Sequence, residues 1–166
     1  MILEVKHMRT ITDNEISKLQ NYLELIRLAG GWSRASFSEL LGITKQTLIN
    51  LEKKTSKLSK LQYIGIRTIL DYEVAENPDN KLLPYALEVL LNKDSPSEEE
   101  IQELKKAVAY VTGAKSAGLD TAAITTGIAA LLSASALALD IINHSSEIYK
   151  TSQWLIKLMK TVNTKK

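Results

Sequence analysis

The chain contains no cysteine, which excludes disulfide frameworks, thiolate zinc sites and cysteine nucleophiles and makes the cytoplasm its natural compartment. Histidine is scarce as well. The two present, His7 and His144, lie too far apart to form a metal-binding pair by local spacing, so both read as surface or partly buried side chains and no metal site is expected. Met1 to Thr10 lacks the long apolar core of a secretory signal, and export is not expected. Alternating strand patterns are missing too, apart from the short Ile2 to Val5 run, which reads as part of an extended arm over residues 1–11. Without strand-end loops, and with no paired carboxylates or serine–base set in view, catalytic chemistry is not expected and no cofactor is implied. The run Gly113-Ala114-Lys115-Ser116 is similar to the end of a phosphate-binding loop. However, Ala114 stands where that loop requires glycine, and no strand precedes it.

What is present is helical periodicity. The 166 residues, 45% hydrophobic, suffice for one core or two small ones, and the fold class is all-α. A capping box at Thr12-Asp13-Asn14-Glu15 opens a first helix with Ile16, Leu19, Leu23 and Ile26 on one face, ended by Gly30-Gly31. Short helices over Arg34–Leu41 and Lys45–Lys53 flank Gly42-Ile43-Thr44. A fourth, over Lys60–Val74, is expected to bury a stripe of Leu61, Ile64, Thr68 and Tyr72, widened by Ile66, Ile69 and Leu70. The turn-forming stretch Ala75 to Asn80, which contains Pro78, marks a boundary between residues 12–76 and a C-terminal helical domain over 81–166. There, Leu82 to Leu91 reads as a helix with Pro84 tolerated in its first turn. Ser95-Pro96-Ser97-Glu98 reads as a second helix start with proline at the first helical position.

Charge is unevenly spread. Trp32 to Arg67 carries seven basic residues against two acidic ones, while Asp71 to Leu104 carries ten acidic residues against Lys81 and Lys93. This is the footprint of a polyanion-binding module joined to a part that stays off the polyanion.

The segment Trp32 to Glu52 resembles the helix-turn-helix of the Cro and phage-repressor (XRE) family, a likeness extending over about Ile16 to Glu73. Independently of it, Gly42 supplies a left-handed residue at the turn, and Phe37, Leu40, Leu41, Ile43, Leu48 and Leu51 are spaced to fill the wedge between two helices. Thr44 is a good N-cap, leaving Lys45, Gln46, Thr47 and Asn50 facing outward, with chemistry suited to base edges. The resemblance implies a lambda-repressor-like N-terminal domain whose second helix enters the major groove. It also implies a phosphate contact from Arg34, where many members place glutamine. Thr44, Lys53, Lys54, Lys57 and Lys60 are placed to hold phosphates. The chain departs from the family at Glu52 to Thr55, where glycine is common, and at Ser38, where alanine is favoured.

The expected function is therefore that of a sequence-specific transcriptional regulator, a repressor, binding double-stranded DNA at a palindromic operator as a homodimer formed through its C-terminal helices. A protein or small-molecule effector would act on the C-terminal part. The alternatives are an antitoxin-like protein-interaction module and a membrane-tethered regulator using the uncharged run 121–139. That run is rich in Ala, Ser, Thr and Gly, and the lysine-rich tail after it opposes the positive-inside tendency. It reads instead as a helix buried on nearly all sides. An amphipathic helix is expected over Ser146 to Val162.

Overall fold

In a computed structural model the described residues, 11–132, form helices joined by short turns, with no strand among them. The arm up to Thr10, both histidines, residues 133–139 of the uncharged run and the helix expected over 146–162 lie outside the described residues.

Thr12 caps α1 (Asp13–Asn21) through a reciprocal pair: its hydroxyl accepts from the Glu15 N–H while the Glu15 carboxylate accepts from the Thr12 N–H. The expected long first helix is broken at Tyr22 (φ −113°, ψ 11°), so that α2 (Leu23–Ala29) continues as a separate segment. Then come α3 (Arg34–Leu41), α4 (Lys45–Glu52) and α5 (Lys60–Glu76). α6 (Leu82–Leu87) runs into a π-helical turn over Glu88–Asn92, followed by α7 (Glu98–Ser116) and α8 (Thr121–Leu132).

One hydrophobic cluster spans these helices. It joins Leu19, Leu23 and Ile26 of α1 and α2 with Phe37, Leu48 and Leu51 of the next two helices, and with Leu82 to Leu90, Leu104 and Val108 beyond the turn at 77–81. Asn80 fastens that turn from both sides. Its amide donates to the Ala29 carbonyl at the end of α2 (3.1 Å), and its carbonyl oxygen accepts from the Leu82 and Leu83 N–H groups that begin α6.

Local expectations are also corrected on α5 and α7. On α5 the buried side chains are Tyr63, Ile66, Arg67, Leu70, Asp71 and Val74, while Leu61 is 79% and Tyr72 65% exposed. The helix carries two apolar stripes, and Tyr63, Ile66, Leu70 and Val74 are the more continuous of them. The core side also accommodates Arg67 and Asp71, one helical turn apart with opposite charge. The cap of α7 is Ser97, not Ser95: its hydroxyl accepts from the Glu100 N–H and the Glu100 carboxylate accepts back from the Ser97 N–H. Pro96 therefore lies before the helix, where its missing N–H costs nothing. Within the single chain α8 buries one face, with Ile128 and Leu132 buried and Leu131 exposed. It packs on α7, with Gly127 against the Tyr110 ring where a Cβ would collide, and the Tyr110 hydroxyl donates to the Ala123 carbonyl (3.3 Å). No helix among the described residues is long and apolar enough to cross a membrane. Gly113 to Ser116 form the last turn of α7, so their backbone completes a helix instead of cradling a phosphate.

Candidate nucleic-acid interface

The unit formed by α3 and α4 is assembled by local chemistry at each end. Ser33 caps α3, its hydroxyl accepting from the Ser36 N–H (3.0 Å). At the other end Gly42 adopts φ 67°, with its N–H donating to the Glu39 carbonyl and the Ile43 N–H reaching back to the Ser38 carbonyl. Thr44 then caps α4, accepting from the Thr47 N–H at 3.0 Å, as its position in the sequence predicts. Of the six apolar residues assigned to the wedge, Phe37, Leu48 and Leu51 are buried and Leu41 and Ile43 half-buried, while Leu40 points outward at 52% exposure. Ser38 is buried without strain because its hydroxyl donates to the Ala35 carbonyl (2.9 Å).

With Leu48 and Leu51 turned inward, α4 leaves Lys45 and Gln46 exposed and Thr47 and Asn50 partly so. Two of these are pre-arranged. Gln46 Nε2 donates to Asn50 Oδ1 (2.9 Å), one helical turn on, which leaves Gln46 Oε1 able to accept and Asn50 Nδ2 able to donate. An acceptor beside a donor is the pattern that complements the N6 amino group and N7 of adenine. The Thr47 hydroxyl is engaged with that of Thr44 (2.8 Å).

Lys53, Lys54, Lys57 and Lys60 stand exposed along the segment between α4 and α5. Like Lys45, none makes an ion pair with a described residue. The segment has a fixed shape. Lys54 takes φ 61°, the left-handed conformation for which glycine is preferred; its N–H donates to the Leu51 carbonyl and the Thr55 N–H to the Asn50 carbonyl.

Arg34 departs from its expected role. Its guanidinium is held by Glu52 (2.6 Å) and Glu24 (2.8 Å). Glu52, whose side chain is 1% exposed, also grips Arg27 (2.5 Å), so one carboxylate clamps α2, α3 and the end of α4. Hydrogen bonding and charge from Glu52 push the Arg34 pKa above its ordinary value, fixing it further in the charged form. Its charge is spent on this clamp rather than left open to a phosphate.

Two residues outside the sequence-derived set position the surface. One is Glu52, which charge counting treats as a mere acidic residue. The other is Gln20, buried on α1, whose Nε2 donates to the Leu51 and Ser56 carbonyls (3.0 and 2.6 Å) and whose Oε1 accepts from the Leu58 N–H (3.0 Å). The lysine-bearing segment is thereby tied to the core at both ends. A spacing signal for each exists: Gln20 lies four residues after Ile16, and Glu52 four after Leu48, both on inward faces.

The chain matches no protein-family model, no curated protein and no solved structure.

Proposed function

We propose that the chain is a sequence-specific DNA-binding regulator in which α3 and α4 act as a helix-turn-helix, with α4 as the recognition helix. The observation that carries this reading is the exposed start of α4, where Lys45 and the bonded Gln46–Asn50 pair sit beside a row of lysines without acidic partners. The base edges would be read by Lys45, Gln46, Thr47 and Asn50, with phosphates met by Lys53, Lys54, Lys57, Lys60 and the Thr44 end of the helix. The regulator acts as a repressor on paired half-sites about 34 Å apart, as one such module makes few contacts alone.

Fluorescence anisotropy with duplexes carrying the DNA upstream of the chain's own coding region, at several salt concentrations, tests this. Gln46→Ala and Asn50→Ala are each expected to cost about 1–3 kcal/mol against the preferred site and little against scrambled DNA. Because the two amides are bonded to each other, the double variant should cost less than the two single losses together. Lys57→Ala is expected to weaken binding to all duplexes alike and to lower the salt slope by about 1. Equal behaviour of Gln46→Ala and Lys57→Ala, or no salt-sensitive binding at all, would refute the assignment.

A further inference from the structure

A freely rotating amide can turn either its N–H groups or its oxygen to a base edge, and so can meet the acceptors of guanine as well as the amino groups of adenine and cytosine. Gln46 is exposed, yet its amide is held: Nε2 donates to Oδ1 of the half-buried Asn50 (2.9 Å), one helical turn on. Among the described residues neither side chain bonds to any other group, and the neighbouring Thr47 hydroxyl is engaged with that of Thr44 (2.8 Å). The two amides therefore act as one unit, with the Gln46 Oε1 acceptor at one end and the Asn50 Nδ2 donor at the other.

The four bases meet such a unit differently. In the major groove adenine presents its N6 amino donor beside the N7 acceptor, the complement of the pair. Guanine presents two acceptors, O6 and N7, so the Gln46 oxygen would face a second lone pair. Thymine offers one acceptor and a methyl group, and cytosine one donor, so each leaves one end of the unit unanswered. A polar group left without a partner in a desolvated interface costs more than the bond it fails to make. Turning both amides over exchanges donor and acceptor but still leaves one of each, and the same base is selected.

We infer that the joined amides of Gln46 and Asn50 read a single adenine in the major groove, Gln46 Oε1 accepting from its N6 amino group and Asn50 Nδ2 donating to its N7. The inference rests on the DNA-binding reading and deepens it by naming the base and the atom that each residue meets. Neither residue is sufficient: without Asn50 the Gln46 amide turns freely, and without Gln46 the adenine amino group has no acceptor.

Selection of duplexes from a random pool by the full chain locates the base pair, and nucleotide analogues then test the two atoms. Adenine is expected at one fixed position of the selected sites, where its replacement by guanine should weaken binding about 5- to 150-fold. At that position 7-deazaadenine, which lacks the N7 acceptor, and purine, which lacks the N6 amino group, should each weaken wild-type binding about 2- to 10-fold. Asn50→Ala should be indifferent to the first analogue and Gln46→Ala to the second, because each analogue then deletes a bond that the variant no longer makes. The analogues alter only the DNA, so a misfolded variant cannot imitate this pattern. Salt-sensitive, sequence-preferring binding with a base other than adenine at the position that Gln46→Ala relaxes would overturn the inference and leave the DNA-binding reading standing. Analogue losses that add in full to those of the matching substitutions would do the same. Absence of salt-sensitive binding to any duplex would overturn both.

Discussion

Lys54 occupies a backbone conformation that costs a non-glycine residue about 1 kcal/mol, whereas the comparable turns after α2, α3 and α7 use Gly31, Gly42 and Gly118. Replacing it tests its two roles at once. Lys54→Gly is expected to leave the melting temperature within about 2 °C of wild type, as the relief of strain is largely offset by the added freedom of the unfolded chain. The same variant should bind every DNA sequence more weakly, with a salt slope lower by about 1. Asp71 presents the opposite kind of strain. Burial raises its carboxyl from 3.8 to about 6, and the attraction of Arg67 only partly opposes this. The folded chain therefore binds this proton more tightly than the unfolded one. The stabilising contribution is fully present below about pH 4 and is lost as pH rises through about 6, a change of about 3 kcal/mol. Urea titrations between pH 4 and 7 check it: Asp71→Asn should flatten the slope over that window.

Among the helices, the arrangement of α2, α3 and α4 depends on one carboxylate. Glu52→Gln removes the charge that satisfies Arg27 and Arg34 while Arg27 remains buried. It is expected to cost about 3 kcal/mol in urea denaturation, far more than neutralising an exposed glutamate such as Glu39. Three helix ends were legible because caps are short-range chemistry, Thr12, Gly42 and Thr44 each performing the role their position implies, whereas Ser97 caps α7 where Ser95 was expected. The sequence was less informative about which face of α5 turns inward, since the helix carries two apolar stripes, and the buried one also holds Arg67 and Asp71, which a reading of hydropathy places outside. Arg34 was read as an open cation for a related reason. Composition shows that a positive charge is present but not that Glu52, eighteen positions later, is folded against it.

At the level of the whole molecule, the turn at 77–81 joins parts of one core, with Leu82 to Leu90 packed against α1 and α2 and Asn80 stitched to Ala29. Far-ultraviolet and near-ultraviolet circular dichroism should therefore report a single coincident unfolding transition for residues on both sides of the turn. A chain ended at Asp79 would expose Leu19, Leu23 and Ile26 to water, and it should melt well below the full chain, if it folds at all. Anything that shifts α6 or α7 acts on the same apolar cluster that supports α3 and α4.

The bond from the Leu58 amide to Gln20 gives the segment before α5 an unusual kinetic signature. Surface connections ordinarily trade their amide hydrogens for deuterium within seconds, but this proton is held by a buried side chain and leaves only when the segment and α1 part. It should persist in heavy water alongside those of the central helices.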